Sequence, residues 1–151
     1  MANRGTASQV AGSYISANYG MSVEDAVALG RYDWANSDIA SKNFSTKRTG
    51  KANLTIELPH FNRTISTEGA LRELDRMGMR SAELHELLAF GEKYPDVQRE
   101  FPIVALGSVW RSRDGGRHVP CLSGGGSGRS LRLRWIVSGW NDVYRFAAVR
   151  K

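Results

Sequence analysis

Between Ser130 and Trp135 the chain alternates strictly, with Leu131, Leu133 and Trp135 apolar and Ser130, Arg132 and Arg134 polar. Successive side chains of a strand point to opposite faces, so this run predicts a strand with one face in a core and the other open. Such a strand needs partners. Leu54, Ile56 and Leu58 alternate with Thr55 and Glu57 until Pro59 ends the run, and Ile103–Leu106 with Val109–Trp110 reads as buried strand. Arg113-Asp-Gly-Gly116 is a turn signal, which makes Val109–Arg111 and His118–Leu122 a hairpin or neighbouring strands. Tyr144, Phe146 and Ala148 mark a last strand, and Ser123 to Gly128, all Gly and Ser, reads as a flexible loop.

The helices expected to cover these strands carry one apolar stripe each. Ser22 caps the first, whose Val23, Ala26, Val27 and Gly30 share a face, and Tyr32 and Trp34 anchor it to the core. Ser37 to Lys51 is a polar connection. Ser66 or Thr67 starts a second helix with Ala70, Leu71, Leu74 and Met77 inward, ended by Gly78. Ser81 starts a third, with Leu84, Leu87 and Leu88 inward, ended by Gly91. Strands covered by helices define an α+β class. With 151 residues there is enough chain for one core, so the expectation is a loosely ordered arm over residues 1–21 and a single domain over 22–151.

Charge is distributed unevenly. From Val109 onward there are nine Lys/Arg against two acidic residues, whereas residues 1–108 hold twelve against thirteen, so the net charge of +6 is all C-terminal. That asymmetry suits a polyanion-binding face. Arg129, Arg132 and Arg134 near Trp135 and Trp140 suit a single-stranded nucleic acid in particular, because arginine holds phosphate while aromatic rings stack on bases.

Nothing in the pattern of reactive residues predicts catalysis. His60, His85 and His118 are isolated, Cys121 is the lone cysteine, and His118 and Cys121 sit at an odd spacing that points them to opposite faces of a strand. Glu83 with Glu86, and Glu68 with Asp75, are read as solvated helix faces. The run Ser123-Gly-Gly-Gly-Ser-Gly128 lacks the Gly-Lys-Ser/Thr ending of a phosphate loop. No enzyme activity, cofactor or metal site is expected. There is no apolar leader and no apolar run long enough to cross a bilayer, so the expectation is a cytoplasmic protein or one displayed by another route.

Leu131-x-Leu133-x-Trp135, Trp140 and the terminal Arg145-Phe-Ala-Ala-Val-Arg150, preceded by Glu86-Leu-Leu-Ala-Phe-Gly-Glu-Lys93 and Phe101-Pro-Ile-Val-Ala-Leu-Gly-Ser-Val-Trp110, resemble the variable proteins of diversity-generating retroelements. The resemblance spans residues 22–151. It implies a C-type lectin fold of the subclass related to formylglycine-generating enzymes: small twisted antiparallel sheets, two main flanking helices, termini close together, and a ligand surface built by the variable region, about residues 118–151.

In that family a reverse transcriptase copies a template with random bases opposite adenines, typically in AAC codons, whose variants exclude Lys, Glu, Gln, Met and Trp. Between His118 and Val149 none of Lys, Glu, Gln or Met occurs. The implied variable positions are Ser123, Gly124, Gly125, Ser130, Arg132, Arg134, Ile136, Val137, Ser138, Gly139, Asn141 and Val143, and every one carries a permitted residue. Leu131, Leu133, Trp135, Trp140 and Phe146 are the implied scaffold.

The function so implied is non-enzymatic binding of a protein or other macromolecular surface, in the manner of an antibody paratope. The alternative is the basic single-strand nucleic-acid module.

Overall fold

A computed structural model describes residues 12–151. It is an α+β arrangement of two sheets and three helices. The first sheet contains β1 (Ser13–Asn18), β3 (Lys51–Glu57), β10 (Ala148–Arg150) and β4 (Met79–Ser81), in the order β1-β3-β10-β4 and antiparallel throughout. The expected N-terminal arm is therefore part of the domain over 13–18, since β1 pairs along its whole length with β3. The reason is alternation: Ile15 and Ala17 are buried while Tyr14 and Ser16 are exposed. Residues 1–11 of that arm lie outside the described residues. First and last strands flank β3 on either side.

The second sheet runs β2 (Trp34–Ala35), β8 (Gly128–Trp135), β7 (Arg117–Gly125), β5 (Ile103–Val104), β9 (Arg145–Phe146), with β6 (Trp110–Arg111) paired to β7. It is mixed where the expectation was antiparallel: β2 with β8 and β5 with β9 run parallel. The Gly/Ser run is no loop. β7 and β8 pair as far as Gly125 opposite Gly128, leaving Gly126 and Ser127 as a two-residue turn, the length that tight hairpins favour.

Helix α1 (Val23–Gly30) begins as expected, the Asp25 N–H donating to Ser22 Oγ at 3.0 Å. In α2 (Thr67–Arg76) the Gly69 N–H donates to Ser66 Oγ at 3.0 Å, and Ala70 and Leu74 are buried. Leu71 and Met77, expected inward, are exposed, because only one side of this helix meets the sheets. Helix α3 (Leu84–Lys93) starts at Glu83 rather than Ser81, since the Glu86 carboxylate accepts from the Glu83 N–H at 2.7 Å. Nor does Gly91 end it. Gly91 is glycine because a Cβ there would fall 2.5 Å from the Tyr32 hydroxyl, just as one on Gly30 would fall 2.3 Å from the Tyr32 ring. Tyr32 thus keys α1 and α3 together.

Two apolar clusters result. Ile15, Ile56, Leu87, Phe90, Leu122 and Leu131 join the first sheet, α3 and one face of the second. Leu74, Met79, Val104, Val119, Trp140 and Phe146 join α2 and the other face. Both faces of β7 are therefore covered along its middle, which leaves Val119, Pro120, Cys121 and Leu122 all buried.

Candidate functional site

The β7–β8 register decides which side chains meet. Val119 lies opposite Arg134, Cys121 opposite Arg132 and Ser123 opposite Ser130, and paired residues share a face. Hence Ser123, Ser130, Arg132 and Arg134 project together, away from Leu131 and Leu133. Trp34, paired in parallel with Ser130, adds its ring to that face, and the Arg132 guanidinium lies 5.2 Å from its centroid. Trp34 was expected to anchor α1. It is 49% exposed instead, because β2 is the sheet edge.

Ser123, Ser130, Arg132 and Arg134 line one open concavity of about 460 Å³, to which Asp33 and the hairpin at Gly124 and Gly125 also contribute. Five of the six strand positions expected to vary project into it or sit at its rim without obstruction. Gly124 does not, since a Cβ there would fall 2.6 Å from the Gly128 carbonyl, whereas a Cβ on Gly125 meets nothing within 4 Å.

Arg134 occupies the inner end. It is only partly exposed, and its Nε is buried without a hydrogen-bond partner among the described residues. It lies beside Cys121 and Tyr144. Burial pushes the Cys121 thiol up to about 12 and raises the Tyr144 phenol, and the nearby positive charge of Arg134 opposes both shifts. Among the described residues, no carboxylate forms an ion pair with Arg132 or Arg134.

Arg129 behaves oppositely. It is 5% exposed on the other face of β8. Its Nε donates to the Pro95 carbonyl at 2.9 Å, its two terminal nitrogens to the carbonyls of Gly30 at 2.6 Å and Gly91 at 2.9 Å and to Gln98 Oε1 at 3.0 Å, and its plane lies 4.6 Å from the Tyr32 ring centroid. The Gly30 and Gly91 carbonyls belong to the C-terminal turns of α1 and α3, whose dipoles present negative charge, and Pro95 follows the end of α3. Its own N–H donates to Asp33 Oδ2 at 2.7 Å. Arg129 is scaffold, and so is Trp140, 2% exposed, so two members of the arginine–tryptophan set expected to face a nucleic acid are buried.

Beyond β8 the chain makes a 3-10 turn, Ile136–Ser138. The Thr67 hydroxyl donates to the Ile136 carbonyl at 2.6 Å and accepts from Trp140 Nε1 at 3.0 Å, while Ile65 and Trp140 exchange two backbone hydrogen bonds of 2.9 Å. Between these ties Val137 is 74% exposed and Ser138 exposed; Asn141 and Val143 follow, also exposed, with Asn141 Oδ1 accepting from the Val143 N–H at 3.1 Å. Ile136 is half-buried against Trp140 and its neighbours. Gly139 has φ 73° and ψ −175°, a region reserved almost wholly for glycine, so this expected variable position is fixed by backbone strain.

Of the expected scaffold, Leu131 and Phe146 are buried and Leu133 is half-buried. Trp135 is 48% exposed, because β8 outruns the helices that cover its middle. Its ring meets His118 at a centroid distance of 4.6 Å and a tilt of 56°, and His118 meets Trp110 at 5.3 Å and 33°, a row of tilted aromatic rings with exposed Arg111 and Arg117 beside it.

Other candidate chemistry is engaged elsewhere. Glu83 pairs with Arg48 at 2.7 Å, and Asp75 with Lys151. Glu86, fully buried, holds Arg80 at 2.7 Å and accepts from the Tyr19 hydroxyl at 2.5 Å. Burial and the Glu86 carboxylate push the Tyr19 phenol up to about 12. No three His, Cys, Asp or Glu residues among those described converge on a metal position, and His118 and Cys121 lie on opposite faces of β7. No helix among the described residues is long and apolar enough to cross a membrane.

Sequence reasoning missed Asp33 as part of the concavity, Trp34 as the ring beneath Arg132 and Thr67 as the tie beneath the turn. The only signal was the Asp-Trp pair after α1, since the pairing of β2 with β8 joins residues remote in sequence. The molecule is thus an α+β protein with an open polar concavity on its hairpin face. No family model, no curated protein and no solved structure matches this chain.

Proposed function

We propose that this protein is a non-enzymatic binding protein of the kind made by diversity-generating retroelements, with a C-type lectin fold and a C-terminal surface that changes between copies of the gene. The observation that carries the reading is the segregation within residues 123–146. Ser130, Arg132, Arg134, Val137, Ser138, Asn141 and Val143 have room to change, while Leu131, Trp140 and Phe146 hold the two cores. Burial of Arg129 fits the same division, because a buried cation with four good acceptors tolerates no random replacement.

Sequencing the DNA around the gene tests this. A near-identical template repeat is expected, with differences confined to template adenines and falling on those exposed positions while sparing Arg129, Gly124 and Gly139. No repeat and no adjacent reverse transcriptase would overturn it.

A second reading is favoured by the row Trp110–His118–Trp135 and its arginines, which suit stacked bases and phosphates of a single strand. Fluorescence anisotropy with a labelled oligonucleotide decides it. Affinity should fall steeply with salt and drop on Trp135→Ala; absence of binding at low salt ends that reading.

A further inference from the structure

From the concavity on the hairpin face we infer that this copy of the protein binds a carboxylate, presented as an acidic side chain of a protein target. The inference rests on the binding-protein reading and names the chemistry of its site.

Arg132 and Arg134 stand two residues apart on one face of β8, so their Cα atoms are roughly 6.5–7 Å apart, and both border the same open space. The Trp34 ring holds the first guanidinium, and Cys121 and Tyr144 flank the second. Arg134 is only partly exposed and its Nε is buried, so a ligand in the concavity meets the exposed part of this side chain. Ser123 and Ser130 place hydroxyls at the same wall. An oxyanion satisfies all of these groups at once.

Charge balance selects between oxyanions. Asp33 lies at the rim, and among the described residues its carboxylate is in no ion pair and accepts from the Arg129 N–H. Two guanidiniums and one carboxylate leave a single net positive charge, which a monoanion neutralises and a phosphate dianion overshoots. The planar fork of arginine also matches the planar carboxylate in two-point contact. The concavity is wide and polar rather than deep and apolar, which suits a side chain delivered from a partner surface rather than an enclosed small molecule.

An NMR titration of the full chain tests the inference, with arginine Nε–H signals followed alongside the backbone and ionic strength held constant. One probe is a capped tripeptide whose only charge is a glutamate side chain; the other is inorganic phosphate. The peptide should produce saturable shifts at residues 123, 130, 132 and 134 and at the Arg134 Nε–H. Arg132→Gln and Arg134→Gln should each weaken it at least about tenfold, the loss of a charge-assisted hydrogen bond, whereas Arg117→Gln should not. Arg132 is exposed, so its variant keeps the test alive should Arg134→Gln fold poorly. Absence of saturation, equal binding by the double variant, or tighter binding of phosphate would each overturn the carboxylate site. Any of these would leave the diversified-surface reading to the exposed turn at Val137–Val143, and a missing template repeat would leave a measured carboxylate site standing.

Discussion

Arg129 and Arg134 leave the same strand on opposite faces, and their surroundings differ in every respect that matters for a charge. Arg129 is enclosed by backbone carbonyl oxygens at the ends of two helices and lies over the Tyr32 ring. Arg134 has a buried Nε with no acceptor among the described residues, and the rest of its side chain lines the open concavity. The first converts the ends of two helices into a joint with the hairpin; the second contributes nothing comparable to folding and is left available. One residue type on one strand thus does two jobs, and the difference lies in what the opposite sheet faces have packed against them.

Removing the enclosed charge should break that comparison most severely. Arg129→Ala leaves four buried acceptors without a donor and is expected to cost about 3–5 kcal/mol, read as a lower denaturant midpoint at unchanged slope. Arg129→Lys should recover only part, since a point charge cannot fork among separated carbonyls.

Glu86 offers the same contrast for a carboxylate. Burial alone raises its pKa, but hydrogen bonds from Arg80, Tyr19 and the Glu83 N–H more than offset this and hold it below the usual carboxylate range. A folded-state pKa below the unfolded one gives stability that is complete above the ordinary carboxylate pKa and is lost as pH falls through the folded value. Glu86→Gln should therefore cost about 2–4 kcal/mol at neutral pH and flatten the acid limb of the stability profile, measured by denaturation from pH 7 to 3.

On the hairpin the expected effects are smaller. Gly124→Ala should destabilise by about 1–3 kcal/mol as the strands shift to clear the Gly128 carbonyl, whereas Gly125→Ala should change the thermal midpoint little. Arg134→Gln is the smallest, within about 0.5 kcal/mol of the parent, because no native hydrogen bond to its Nε is lost. A large loss there would mean that Arg134 is scaffold and would remove the contrast with Arg129.

Alternation and capping made much of this legible. β3, β8, α1 and α2 lie where periodicity and Ser22 or Ser66 place them, and Trp140 and Phe146 are buried as their bulk suggests. What failed were inferences that needed the partner strand. Trp135 alternates in phase with Leu131 yet runs out past the core, and the Gly/Ser run looks like a loop until its register across the hairpin is known. Arg129 reads as one more basic surface residue, because nothing local reveals that α1 and α3 bring their carbonyls to it. Within the site, Arg132 and Arg134 were readable from alternation alone; Trp34 and Asp33 were not.

Thr67 sits beneath the Ile136–Ser138 turn with one hydroxyl serving both ends of it. A surface segment already held in shape surrenders little conformational freedom when a partner arrives, so each new side chain at Val137 or Ser138 meets its target from a rigid mount. Gains in affinity there should come as longer residence times more than as faster capture.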